Sequence, residues 1–406
     1  MNTIGLEARS SIVLPASEPA PNPRSTIGYI FGIRGVLSLY IMCFHLNNMI
    51  LQARLGVVAP LYSALTDWLR VGDFRVCTFF VISGYLLTLP TTKTVEWQLR
   101  DGIRGFLARR SERLLLPYYI AFALSVVLYI AWRHVIGDPP GMRGTAVGII
   151  AHLLLIHNLD PRTSLLINDT LWNVALEFQC YLLFAFVFLP IMRTYGPWAQ
   201  LLVAAAIGLG PHFLCHGFLD WTRPWFITLY SMGVTAAALA NRVHPDLTRV
   251  ERGVPWGTLW LGTSIAGVIA VVASGIDTEY GAGWLQNILL GIAVSSFLIF
   301  MRTGSGGPPG ILARPLVRFL ESPLLCRLGR FSYSTYLIHF PILRLAVALT
   351  ALWTTSIWYL SALCFLVYVP ITLLLAYGFH VCFELPLQTR KSPLRINTLT
   401  RSAPPA

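Results

Sequence analysis

From about Tyr29 onward the chain repeats one pattern: an apolar run of roughly membrane-crossing length, then a short polar loop carrying basic residues. Crossing the hydrocarbon layer takes roughly 20 mostly apolar residues, and a helix does so with all its backbone groups paired internally. The pattern therefore predicts an all-α membrane protein. Of 406 residues only 12% are charged, against about 25% in a soluble domain. The net charge of +12 sits in the short loops, so it reads as a topology signal. The lipid bilayer, not a nucleic acid, is the expected partner.

Apolar runs fall at about 29–50, 74–89, 114–132, 171–192, 198–215, 225–240, 256–273, 284–301, 331–352 and 358–381. A further stretch, 145–159, is apolar but short, in the range of an interfacial or re-entrant helix. The positive-inside rule decides its role. The segment Lys93 to Arg113 holds six Lys/Arg against three acids, which puts it and the N-terminus in the cytoplasm. If 145–159 spans, Arg242, Arg249 and Arg252 fall outside. If it does not, every strongly basic loop is cytoplasmic and Asp277 and Glu279 face out. The expectation is a bundle of about ten transmembrane helices with both termini cytoplasmic, in the cell (inner) membrane. Residues 1–27, polar and without a hydrophobic signal core, are expected to be a disordered cytoplasmic tail; 28–386 form the transmembrane domain and 387–406 a second cytoplasmic tail. No CxxC pair or Cys/His metal spacing occurs, so no metal is expected.

Ionisable residues inside such runs are the candidates for chemistry, because burying them in lipid is costly. Arg34 and His45 lie eleven residues apart in the first run. That is three helical turns plus about 20°, so they share one stripe with an axial offset of roughly 16 Å. His45 can act as a general base or simply pack against a neighbouring helix. Glu177 shares a face with Asn173 and Tyr181; it can orient a histidine, hold a sugar hydroxyl, or bond to nearby aromatic residues. Arg109, Arg110 and Arg113 stand at the foot of the third run, where guanidinium forks suit phosphate and positive charge also anchors a helix end. Ser332, Tyr336 and His339 align at helical spacing, as a cavity lining or a hydrogen-bonded seam. Glu384 follows His380 by one turn, which suggests an ion pair capping the bundle. Asp67 and Asp73 read as solvated loop acids.

Taken in order, these blocks resemble the acyltransferase 3 family of multispan membrane O-acyltransferases. Arg34 and His45 match its Arg-x10-His signature. Phe79-Phe80-Val-Ile-Ser83-Gly84-Tyr85 is similar to its FFxxSG(F/Y) block, and Arg110-x-x-Arg113 with the following Leu-Leu-Leu-Pro117 to its RxxR segment. Trp172 to Tyr181 resembles its W-S-L-x-x-E segment, with Glu177 on the family glutamate. Gly329 to Pro341, including Tyr333 and His339, and Glu384-Leu-Pro386 complete the series. The chain departs from the family at Arg75-Val-Cys77-Thr78, where Gly-Val-Asp is common, and at Asn173 and Val174. No esterase-like soluble domain is visible.

The resemblance implies transfer of an acyl group, usually acetyl from acetyl-CoA or another acyl-CoA, to a carbohydrate hydroxyl. It implies catalytic roles for His45, Arg34 and Glu177, donor binding by Arg109, Arg110 and Arg113, and acceptor contacts from Arg75, Ser83, Tyr85, Trp172, Tyr333 and His339. The acceptor is expected to be an exported or lipid-linked polysaccharide of exopolysaccharide or O-antigen type. A small glycosylated metabolite such as a macrolide, and a non-catalytic acyl or glycan transporter, are the alternatives. Nothing in the sequence sets the oligomeric state.

Overall fold

Helix α1 (Gly28–Ala53) holds the first apolar run in 26 residues, about 39 Å of helix and enough to cross a bilayer. The computed structural model describes residues 28–53, 60–70, 74–94, 96–137, 145–241, 245–273, 283–303 and 308–389. The expected N-terminal tail, most of the C-terminal one, and Asp73, Arg242, Asp277 and Glu279 lie outside them. Among the described residues every regular element is helical. Seven helical stretches there are long and apolar enough to cross a membrane, and two shorter apolar ones, Arg75–Thr88 and Phe226–Ala240, lie among them.

Helix α2 (Phe74–Thr88) carries the two phenylalanines, Ser83 and Gly84. A Cβ on Gly84 would lie 2.0 Å from the Tyr230 carbonyl oxygen, so only glycine lets α2 approach helix Phe226–Ala240 this closely. Helix α3 (Gly102–Ile136) is 35 residues long, about 52 Å, well beyond the hydrocarbon thickness. The segment expected as a loop to Arg113 is therefore helical from Gly102. Its Arg, Leu and Glu residues are good helix formers, which outweigh Gly105, and no proline occurs before Pro117. Helix α4 (Thr145–Leu153) has nine residues, about 14 Å, too short to cross.

Helix α5 (Trp172–Leu183) passes through a π-helical turn, Phe184–Phe188, into α6 (Leu189–Leu214). Continuous helix over these residues would be about 65 Å long. Gly196 breaks it, with φ 84° and ψ 172°, a conformation that side chains other than glycine's resist. Helix α7 (Phe226–Ala240) is buried along nearly its whole length. Helices α8 (Trp256–Ala273) and α9 (Gly283–Thr303) form an apolar pair further out.

Helix α10 (Ser332–Ala351) lies along α1. Arg34 meets Ser332 at its start and His45 meets His339 two turns on, so α1 and α10 run in the same direction. The last stretch, Ile357–Gln388, contains two π-helical turns, Cys364–Tyr368 and His380–Glu384. Helix continues to Thr389, three residues past the expected domain end at 386.

Candidate active site

The stripe predicted on α1 faces α10, and two clusters form along that seam. The first is a cavity of about 430 Å³ at the Arg34 end, lined among others by Arg34, Ser83, Arg110, Arg113, Glu177 and Glu384. That volume is in the range of small-molecule sites. Each carboxylate is held by neighbours on other turns or helices. Ser83 Oγ donates to Glu177 Oε1 at 2.7 Å and Tyr181 OH donates to the same oxygen at 2.8 Å. Glu384 Oε2 accepts from Ser334 Oγ at 2.6 Å and meets His380 Nδ1 at 2.8 Å, while Gln388 Nε2 donates to Oε1 at 2.8 Å. The expected His380–Glu384 pair exists, spans a π-helical turn, and its Glu384 lines the cavity.

The arginines are held differently. Arg34 Nε donates to Ser332 Oγ at 3.2 Å, and Ser332 is fixed in turn on the Gly329 carbonyl at 2.9 Å. Among the described residues neither Arg110 nor Arg113 forms an ion pair. Arg109 turns away from the cavity and pairs with Asp101 at the start of α3.

The second cluster surrounds His45. Its ring packs against Phe44, Phe340 and His339, with centroids 5.0, 5.3 and 5.4 Å away. His45 stays partly accessible, whereas His339 is buried. The Arg75 guanidinium stacks 3.5 Å from the Phe44 ring centroid, and Arg223 lies 4.9 Å over Trp172; such contacts hold cations on ring faces. Tyr336 joins the two clusters. It lines the cavity, and its ring lies 6.0 Å from that of His339.

Of the residues to which the resemblance gave a site role, the cavity collects Arg34, Ser83, Arg110, Arg113, Glu177 and Tyr333. His45, His339 and Arg75 gather beyond it, with Trp172 beside Arg223. Tyr85 is buried in the core and lines neither cluster. Glu384, Gln388 and Tyr181 take part without having been assigned a site role. For the first two, the i, i+4 run His380–Glu384–Gln388 was the available signal. Among the described residues no group of three or more His, Cys, Asp or Glu could hold a metal.

A membrane bundle with an arginine-lined cavity and, along the same seam, a partly accessible imidazole packed on a buried one is what this fold defines. The chain belongs to the Acyl_transf_3 family, described as an acyltransferase domain, which matches residues 27–381. Membership places it among the acyltransferases, as a multi-pass protein of the cell (inner) membrane. It is similar to the peptidoglycan O-acetyltransferase OatA of Listeria monocytogenes, 23% identical over 82% of this chain and 52% of that protein. It is similar to the O-acetyltransferase OatA of Staphylococcus aureus (strain NCTC 8325 / PS 47), 26% identical over 72% and 49%. A third relative is the acyltransferase MdmB of Streptomyces mycarofaciens, 22% identical over 77% and 78%. The chain thus spans about half the length of the two OatA proteins. No solved structure matches it.

Proposed function

We propose that this protein transfers an acyl group, acetyl in the simplest case, from acyl-CoA to a hydroxyl of an exported or lipid-linked carbohydrate. One observation carries the reading: Arg34 and His45 face the same partner helix, with Arg110 and Arg113, which form no ion pair among the described residues, at the cavity end and a partly accessible imidazole further in. Guanidinium groups hold phosphate oxygens in forked geometry, so the cavity end takes the acidic part of acyl-CoA. The thioester then points along the stripe towards His45.

In this mechanism a nitrogen of His45 takes the proton of the acceptor hydroxyl as its oxygen attacks the thioester carbon. The C–O bond forms, the C–S bond breaks and the thiolate of CoA leaves. Arg34 and Glu177 act from the cavity wall, Arg34 on the donor and Glu177 on the groups that Ser83 and Tyr181 fix. Ten spans fit this path, counting Arg75–Thr88 and Phe226–Ala240 and a reversal at Gly196, with both termini and Arg110 in the cytoplasm, where acyl-CoA is made.

A second reading concerns the acceptor alone, a small glycosylated metabolite. Purified protein in nanodiscs, given radiolabelled acetyl-CoA and either a lipid-linked oligosaccharide or a glycosylated macrolide, tests both. Label appearing on one acceptor, and lost in His45→Ala, is the expected result. Uptake of substrate into vesicles without label transfer would favour a transporter.

A further inference from the structure

The backbone fixes the tautomer of His339. Its Nδ1 lies 2.9 Å from the Thr335 carbonyl oxygen and 3.0 Å from that of Tyr336. Both oxygens are acceptors, so Nδ1 carries the proton and shares it between them. In the neutral ring Nε2 is then a lone pair and nothing else. His339 is 1% exposed, and Nε2 has no hydrogen-bond partner among the described residues. A buried acceptor left so is uncommon and calls for an explanation.

The neighbouring polar ring is His45, 5.4 Å away between centroids and tilted by 44°. Of the three rings packed on His45, two belong to phenylalanines, and only His339 offers an acceptor. Other charged groups whose fields reach His45 are Arg75, at the start of α2, and Arg223, just before α7. Guanidinium groups donate and never accept, so neither can hold an N–H of His45. At this separation a modest rotation about χ2, a soft torsion in histidine, brings nitrogen to nitrogen.

Resting on the acyl-transfer reading, we propose that His339 is a positioning residue for His45. Its Nε2 accepts the N–H of His45 and so selects the tautomer whose other nitrogen presents a lone pair to the acceptor hydroxyl. During transfer the hydroxyl proton moves to that nitrogen of His45. His45 becomes an imidazolium whose other N–H stays bonded to His339, and it later yields its new proton to the departing thiolate. His339 neither gains nor loses a proton.

Two variants of near-original size test this. His339→Gln places an amide oxygen close to the Nε2 position. His339→Asn keeps an N–H for the Thr335 and Tyr336 carbonyls but stops short of His45. With full-length protein in nanodiscs, acetyl-CoA and an acceptor that wild type modifies, His339→Asn should lower kcat about 100-fold with both KM values within about twofold. His339→Gln should recover about tenfold of that loss. A merely structural histidine predicts the reverse ranking, because Asn preserves the backbone bonds. Wild-type rate in His339→Asn, equal loss in both variants, or elution of either as an aggregate overturns the proposal. Wild-type protein that transfers no label defeats the acyl-transfer reading itself, which separates the two failures.

Discussion

Around Arg34 the walls are hydrogen-bonded side chains from several helices, each carboxylate tied by neighbouring side chains; around His45, three turns along the same helix, the neighbours are rings. Glu177 is fixed by Ser83 and Tyr181, and Glu384 by Ser334, His380 and Gln388. These bonds satisfy the acids without using the arginines, and among the described residues Arg110 and Arg113 form no ion pair. The His45 end is packed by Phe44, Phe340 and His339. Three rings enclose the His45 imidazole, which stays partly accessible beyond them. On the proposed mechanism, one end of the stripe holds charge and the other moves a proton.

The sharpest test of that division is at His45. On the proposed mechanism His45→Ala removes the base and should lower kcat by about 1,000-fold, while the variant still binds acyl-CoA, as followed by thermal shift in detergent. Retained transfer would place the chemistry elsewhere, most plainly in the cavity. Next comes Glu177→Gln, which keeps the shape but weakens the bonds from Ser83 and Tyr181. A charged hydrogen-bond partner contributes about 1.5–3 kcal/mol, so activity should fall about 10- to 100-fold, with KM for acyl-CoA moving less than kcat. An unchanged kcat would mark Glu177 as scaffolding.

Much of this division could be read before any coordinates. The eleven-residue interval placed Arg34 and His45 on one face, and both do face α10. The hydropathy runs outlined the helices, because a bilayer imposes one length and one composition on each. Sequence periodicity does not report how tightly two helices approach, and that is what separates Ser83 from Tyr85. Gly84 draws α2 against α7, which sends Tyr85 into the core and leaves Ser83 on Glu177. The pairing of Glu384 with His380 was legible, but its place on the cavity was not, for another reason. A π-helical turn shifts the face of the last helix by one residue, and regular α-helical counting cannot register that. The helical foot of α3 was obscured because its charge, read as a loop signal, is equally compatible with helix.

Gly84 also supplies a control on the comparison. Gly84→Val should lower the melting temperature of the whole protein, since its first added carbon would collide with the Tyr230 carbonyl. Loss of activity there should track loss of folded protein, unlike the loss in His45→Ala. A stable, inactive Gly84→Val would show that the α2–α7 contact serves the site directly.

The smallest contrast is within one helical turn. Arg110 and Arg113 line the cavity, whereas Arg109 is paired with Asp101. Arg110→Ala should raise KM for acyl-CoA about tenfold, the cost of one charge-assisted contact, with acceptor KM unchanged. Arg109→Ala removes an equal charge from the same end of the bundle. If the cavity recognises phosphate through placed guanidinium groups, that variant should stay within about twofold of wild type, since a partly exposed ion pair contributes little. If positive charge at the helix foot matters only as a general field, both variants should weaken the donor alike, and raising the ionic strength should erase the difference from wild type in each. Equal KM shifts for Arg109→Ala and Arg110→Ala would therefore reduce these arginines to membrane anchors and leave the cavity without a phosphate site.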